Sequence, residues 1–457
     1  MLPKRKSLKG SSHFALKVVW ALLGRGGAVA AGFVATALLT RLLSPAEVGV
    51  YYLAQSVVVM VGPLASLSLQ QPTIGAIAAA RAVGDHARAA AFARAGLRLA
   101  LLSGFAISGL GVVGWMTADH FGFASGFDRW PVILLTAVWL VTLAFESQLV
   151  GVLLGLERIG ATAAFDAALG KVLSMIALLV LWLGPGAKSV VTVLAVFVAS
   201  ECVSVILAMI VVHRAIAALG TAGTPVPAAE LWSKAWPFLI SQLSSSVILQ
   251  SGVLILGLFR SPAEVAIYGT ASRLSALLTL PGTIINVPLA PSVARLHAQG
   301  RHKEMQSLLQ YSTIAPSIIA IAATLILFAF GDEILERLFG KVYRNGELVM
   351  IILSVGQCVN IILGSSLLVL AMAGKQHIVA WIGAVVGGIQ VLVLFFVASP
   401  FGAAGVALCT AIEPCLLKSL GWVAAYRTLG VYTHFPVASL PKISLGLLQR
   451  IAGSKAA

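Results

Sequence analysis

The sequence predicts an all-α polytopic membrane protein of about 12 transmembrane helices, built as two pseudo-symmetric six-helix bundles. Three observations predict it: composition, a train of long apolar runs, and a repeated motif. Of the 457 residues, 59% are hydrophobic and only 10% charged, with a mean hydropathy of +0.99. Soluble domains carry about 25% charged residues and need a polar skin that this composition does not supply. Many of the apolar runs reach the ~20 residues that cross ~30 Å of hydrocarbon. They lack the alternation of barrel strands, which leaves helices as the way to satisfy the backbone in lipid.

The predicted spans are 15–40, 51–79, 96–118, 131–155, 163–183, 189–212, 236–259, 266–290, 312–330, 348–370, 379–398 and 403–424. Lys4, Arg5, Lys6 and Lys9 lead into the first run, which continues without a cleavage site and reads as a retained span. Span 2 carries Pro63 and Pro72, and span 8 carries Pro281 and Pro288. Each proline removes a backbone hydrogen bond and kinks its helix, so these four are hinge candidates, with fixed bending as the plainer alternative. Cys202, Cys358, Cys409 and Cys415 fall inside apolar runs without metal-ligand spacing and read as small buried hydrophobes.

Basic residues gather in alternate loops: Arg81, Arg88, Arg94 and Arg98 in one, Arg295, Arg301 and Lys303 in another, and Arg427, Lys442, Arg450 and Lys455 near the end. By the positive-inside rule these loops and both termini are cytoplasmic. The net charge of +15 thus follows topology and does not point to nucleic acid. The sequence divides into an N-terminal lobe (1–212), a cytoplasmic linker (213–235), a C-terminal lobe (236–424) and a basic cytoplasmic tail (425–457). The tail has Leu and Ile positions beside Lys442 and Arg450, a pattern that fits either an amphipathic surface helix or a solvated segment.

The repeat is the most informative feature. Ser44-Pro45-Ala46-Glu47-Val48 recurs 217 residues later as Ser261-Pro262-Ala263-Glu264-Val265, and Tyr51 pairs with Tyr268. Pro and Glu at these places suit the start of a helix. Gly84 and His86 echo Gly300 and His302, and Arg158 answers Lys375. Six spans per half is even, so both halves enter the membrane in the same direction, related by an axis along its normal, with a site expected between them.

The stretch Arg41-Leu42-Leu43-Ser44-Pro45-Ala46-Glu47-Val48-Gly49-Val50-Tyr51 and the stretch Phe401-Gly402-Ala403-Ala404-Gly405-Val406-Ala407 resemble the early and late signatures of Wzx-type polysaccharide and O-antigen flippases. These belong to the MOP superfamily and share a MATE-like fold. The resemblance implies two bundles forming a V around a central cavity. It implies as cargo an undecaprenyl-diphosphate-linked oligosaccharide, carried across a bacterial inner membrane for O-antigen, capsule or exopolysaccharide synthesis. It further implies contact with membrane lipids and docking to glycan polymerase and chain-length proteins.

Ionisable groups within spans are costly and mark functional positions. Arg25 lies about 16 Å into span 1 at 1.5 Å per residue, flanked by Gly24, Gly26 and Gly27, and Arg273 lies in span 8. An arginine offers a bidentate fork to a diphosphate or an anionic sugar, so both are candidate cavity residues, with structural pairing as the alternative. Glu146 and Glu201 are candidate coupling carboxylates, and Asp166 and Lys171 join them as ion-coupling candidates. On this reading one carboxylate carries H+ or Na+, and no other cofactor is expected; interhelical pairing is the structural alternative. Asp166 and Lys171 are five apart, as are Glu413 and Lys418, so the members of each pair point about 140° apart on a helix. Gln55, Gln70, Gln71, Gln242, Gln250, Gln357, Asn360 and Ser244-Ser245-Ser246 are polar within spans. Gln55, Gln242 and Ser245 are the candidate sugar contacts among them, though such groups also hydrogen-bond helices together.

Two alternatives remain. A cation-coupled multidrug or small-molecule antiporter of the same superfamily would use a lobe carboxylate, but Arg25 and Arg273 repel a cationic cargo. An integral-membrane polymerase, ligase or glycosyltransferase needs a sizeable catalytic loop. The largest outer loop, 331–347, mixes Asp332, Glu333, Glu336, Arg337, Lys341 and Arg344 and reads as a solvated connector. No DxD, HExxH, GxSxG or P-loop pattern occurs, and His120, His377 and His434 lack partners at metal-ligand spacing.

Overall fold

The computed structural model describes residues 27, 30–120, 130–165, 169–185, 188–219 and 228–434. Among them there is no strand, and nine helices are long and apolar enough to cross a membrane. The helices are α1 Ala30–Leu42, α2 Pro45–Ala65, α3 Gln70–Ala82, α4 His86–His120, α5 Trp130–Gly155, α6 Ile159–Ala163, α7 Leu169–Leu183 and α8 Val190–Ala217. They continue as α9 Ala228–Phe259, α10 Pro262–Ala276, α11 Leu280–Ala298, α12 His302–Phe339, α13 Glu347–Ile362, α14 Ser366–Met372 and α15 Gln376–Leu429. The chain is a multi-pass membrane protein.

Span 2 is interrupted where the sequence suggested a bend, and span 10 is interrupted where it suggested none. Span 2 is two helices, α2 and α3, separated by the turn 66–69. Span 10 breaks between α13 and α14 at Gly364, whose φ is 76°. Spans 11 and 12 share α15, which is kinked at Gly402 with φ 55° and ψ −144°, a conformation open to glycine and strained for other residues. The glycine of the late signature is therefore a backbone requirement.

The early signature is a helix start. Ser44 caps α2 by accepting from the Glu47 backbone N–H, and the Glu47 carboxylate accepts from Ser44 N (3.2 Å) and the Ser44 hydroxyl (2.8 Å), a complete capping box. The other Glu47 oxygen accepts from Val190 N (3.3 Å), so one carboxylate ties the starts of α2 and α8 together. In the second copy Ser261 accepts from Glu264 N, and Arg260 pairs with the Glu264 carboxylate.

The turns confirm the repeat at the level of hydrogen bonds. Gly84 N, Asp85 N and His86 N donate to Arg81, Ala80 and Gly84 carbonyls, each at 3.0 Å. Gly300 N, Arg301 N and His302 N donate to His297, Leu296 and Gly300, again each at 3.0 Å. Likewise Glu157 N reaches Leu154 O and Arg158 N reaches Leu153 O, while Gly374 N reaches Ala371 O and Lys375 N reaches Leu370 O. The two copies solve the second turn with different residues: Glu157 has φ 59° where its counterpart Gly374 has φ 75°.

The chain divides into two compact units. The first comprises 1–269 with Leu338–Val342, and the second 270–337 with 343–457. The first extends beyond the linker drawn from the sequence and takes α9 with it. Here α9 and α10 lie against α2 so closely that a Cβ on Gly49 would overlap the Pro262 carbonyl, and Leu53 occupies the space a side chain on Gly257 would need. Its core gathers Ile77, Phe92, Leu149, Leu153, Val212 and Leu231. The core of the second unit gathers Leu289, Val293, Met305, Leu309, Val369 and Val431. Val431 and Thr433 are fully buried, so the first residues beyond α15 pack into this unit, and the segment drawn as a tail from 425 begins inside it. The connector 331–347 is ionic as expected: Arg344 meets Asp332 (2.6 Å) and Glu336 (3.5 Å), and Arg337 meets Glu333 (2.9 Å).

A left-handed residue other than glycine costs roughly 1 kcal/mol, and the exposed Arg81–Glu157 pair (3.7 Å) returns at most part of that. Glu157→Gly should stabilise the protein by about 0.5–1 kcal/mol and Gly374→Ala should destabilise it by a similar amount. Thermal unfolding in detergent reads both, and equal signs for the two changes would contradict the shared turn.

Candidate functional site

Three helices of the first unit bring charged candidates together. Glu146 comes from α5, Glu201 from α8 and Lys171 from α7. The Glu201 carboxyl lies beside the Glu146 side chain and in the field of the Lys171 ammonium. The seat of this pair is a glycine: a Cβ on Gly170 would stand 2.5 Å from Glu201 Oε2 and 3.1 Å from Oε1. The carboxyl group thus occupies the volume of the missing side chain. Two carboxyl groups brought side by side can share one proton, and a nearby ammonium offsets the charge that remains. Two residues on, and so on the opposite face of α5, buried Gln148 donates through Nε2 to Thr73 Oγ1 (2.7 Å), in a notch left by Gly96. That hydrogen bond ties α5 to α3.

The second feature is a pocket of about 300 Å³ in the same unit, between α2, α3, α5 and α9. Among the described residues its polar lining is Gln70, Gln71, Gln242, Ser66, Ser68 and Ser147, with no charged residue. The break in span 2 makes it. Pro63, near the end of α2, has no N–H to give, and the chain then turns through Leu67 (φ 49°) and Ser68 (φ 47°) before α3 begins. The freed carbonyls are satisfied locally: Ser68 N donates to Pro63 O (3.0 Å), and the Ser103 hydroxyl donates to Ala65 O (2.6 Å). The break turns Gln70 and Gln71 toward Gln242 on α9. A different face of α2 lines an apolar groove of about 290 Å³ with Leu53, Val57, Val61, Ile107, Trp115 and Leu140.

The sequence-derived candidates fare unevenly. Glu146, Glu201 and Lys171 meet; Gln242 lines the pocket, and Pro63 lines it too. Gln55 is half-buried on α2 and Ser245 is exposed on α9, its hydroxyl donating to Ser241 O (2.9 Å); neither lines the pocket. Arg273 is half-buried on α10. Pro72 lies in the first turn of α3, Pro281 in the first turn of α11, and Pro288 inside α11. Arg25 and Asp166 lie outside the described residues, as does the basic tail beyond 434. Sequence reasoning missed Gly170, Thr73 and Gln148; only the juxtaposition of a glycine with Lys171 hinted at the first.

Comparison with known proteins follows these features. Residues 14–297 match the family described as polysaccharide biosynthesis protein, and residues 237–396 match the MatE family. A probable low-salt glycan biosynthesis flippase of Haloferax volcanii is 27% identical over 164 residues, which cover 35% of this chain and 34% of that protein. The chain therefore spans about a third of that relative's length in the match. Among solved structures, an inward-facing multidrug resistance MATE family transporter of the MOP superfamily aligns with TM-score 0.70 at 15% identity, covering 88% of this chain and 94% of its own. The lipid II flippase MurJ, in an inward closed conformation, aligns with TM-score 0.67 at 12% identity, covering 94% and 91%. A MOP superfamily transporter from Pyrococcus furiosus aligns with TM-score 0.60 at 12% identity, covering 90% and 94%. The fold is the MATE-like fold expected.

If Glu201 fills the space beside Gly170, the two positions are energetically coupled. Gly170→Ala should cost about 1–3 kcal/mol by overpacking, and Glu201→Ala should remove most of that cost by vacating the space. A double-mutant cycle on unfolding free energy checks it; strictly additive effects would reject the seat.

Proposed function

Because the chain belongs to the polysaccharide biosynthesis protein family, we propose that it is a flippase translocating an undecaprenyl-diphosphate-linked oligosaccharide across the bacterial inner membrane. On this reading it serves O-antigen, capsule or exopolysaccharide synthesis, works by alternating access and performs no enzymatic step. The observation that carries the proposal is the pocket around Gln70, Gln71 and Gln242. Neutral amides and hydroxyls both donate and accept, which matches the hydroxyl groups of a glycan and gives a cationic drug no counter-charge. The apolar groove on another face of α2 is suited to a hydrocarbon chain, so one helix offers surfaces to both ends of a lipid-linked sugar. The Haloferax relative, a probable glycan biosynthesis flippase, supports the same reading.

Energy coupling is assigned to the Glu146–Glu201 pair, whose proton, or a Na+ in its place, drives the conformational cycle. Cation binding can shift such an equilibrium only by as much as its affinity differs between the two states. Arg25 and Arg273 remain the groups proposed to meet the diphosphate or an anionic sugar, with both termini cytoplasmic. Docking to a glycan polymerase and chain-length proteins belongs to the same proposal.

The MatE match over 237–396 and the carboxyl pair favour a second reading, a cation-coupled antiporter for small molecules. The two readings part on cargo. Deletion in the native host should deplete the surface glycan and accumulate undecaprenyl-linked units; normal glycan without accumulation would reject the flippase. Complementation with Gln70→Leu/Gln242→Leu should lower translocation roughly tenfold, about 1.4 kcal/mol of lost hydrogen bonding to sugar. Glu201→Gln should abolish dependence on the cation gradient while the protein remains folded.

A further inference from the structure

The second unit holds a polar pocket of its own, which none of the features above uses. It measures about 150 Å³ and lies among the turn at Leu277–Thr279, α11, α12, the break between α13 and α14, and α15. Among the described residues its lining includes Thr279, Thr283, Asn286, Asn360, Ser365 and Lys418 and contains neither Asp nor Glu, so that Lys418 is the one charge there. Among the described residues the Lys418 ammonium has no ion-pair or hydrogen-bond partner, and Glu413 on the same helix points about 140° away. An ammonium within a membrane segment is costly without a counter-charge, so the pocket is complete only with an anion.

The neutral groups narrow that anion. The Ser365 hydroxyl donates to Asn286 Oδ1 (2.6 Å), which leaves both N–H donors of the Asn286 amide uncommitted beside the lysine. Asn360 spends a donor on Gln357 Oε1 (3.1 Å) and so keeps its own carbonyl oxygen as an acceptor. The hydroxyls of Thr279, Thr283, Ser312 and Thr313 donate to carbonyls three residues earlier, at 2.7–2.8 Å, and retain oxygen lone pairs. The lining thus combines a cation and amide donors with several acceptors. A halide uses only the donors. A phosphate group uses both, because its unprotonated oxygens accept while its P–OH donates. The volume agrees: with water taking about 30 Å³ in the liquid, the pocket has room for a tetrahedral oxyanion and attendant water.

We propose that this pocket is an anion site for one phosphate group, held by the Lys418 ammonium and the Asn286 amide. Inorganic phosphate and a phospholipid monoester headgroup present the same chemistry. The test uses the full-length protein in phosphatidylcholine nanodiscs, titrated calorimetrically with inorganic phosphate at constant ionic strength. Wild type should bind, Lys418→Gln should weaken binding at least tenfold, and Lys303→Gln, an exposed control on α12, should leave it unchanged. Lys418→Arg retains the charge and should keep most of the binding. Asn286→Leu should weaken binding without removing the charge, which keeps the assignment testable if Lys418→Gln does not fold. Nanodiscs containing phosphatidic acid separate the sources: competition with added phosphate identifies the lipid headgroup, and its absence identifies the free ion. Equal binding by wild type and Lys418→Gln would overturn the site, and displacement by chloride at equal concentration would overturn its preference for phosphate.

Discussion

In hydrocarbon, a backbone N–H or C=O left without a partner costs several kcal/mol, and the rest of this structure follows from that constraint. It forces the chain into helices and makes every interruption a local problem in hydrogen bonding. At 66–69 the Pro63 carbonyl is taken by Ser68 and the Ala65 carbonyl by Ser103, at 157 and 374 the same turn closes twice, and at 402 a glycine takes up the kink. Interruption is also what exposes polar groups. The turn after Pro63 converts one apolar span into two helices and turns a pair of glutamines into a pocket. The break beside Gly364 places Ser365 against Asn286 and opens the pocket around Lys418. Both polar pockets of this protein lie where helices stop.

Glycine supports the second half of that design. Gly170 makes room for a carboxyl group, Gly96 for an amide, and Gly49 for a neighbouring carbonyl. Close approach of helices through small residues is the ordinary packing mode in membranes. At Gly170 and Gly96 the vacated space is filled by a polar side chain from another helix. Polar groups at depth are thereby held within protein and away from lipid, in positions that no single helix could specify.

Much of the fold was legible in the sequence. Hydropathy located the helices, and the 217-residue offset announced turns whose hydrogen bonds turn out to match. Capping at Ser44 and Glu47 could be read from residue types alone. Where helices end within a span could not be, because Leu67 and Ser68 carry no sequence mark of a left-handed conformation. The carboxyl pair was half legible: Glu146 and Glu201 stood out as costly, but their meeting depends on three helices and on an absent side chain at Gly170. The same logic explains the pocket. Gln242 was visible as a polar residue in a span, whereas its partners Gln70 and Gln71 reach it only because the helix breaks before them. Gln55, equally polar, stays on the continuous part of α2 and does not join them.

The proposed transport of a lipid-linked glycan at the expense of a cation gradient is open to test by reconstituting the purified protein in liposomes with an undecaprenyl-diphosphate-linked oligosaccharide. Transbilayer movement is then followed by lectin accessibility, with and without an imposed proton or sodium gradient. Movement should accelerate with the gradient in wild type and ignore it in Glu201→Gln. Failure of the wild-type protein to move the glycan lipid under either gradient, alongside gradient-driven efflux of a cationic dye, would contradict it.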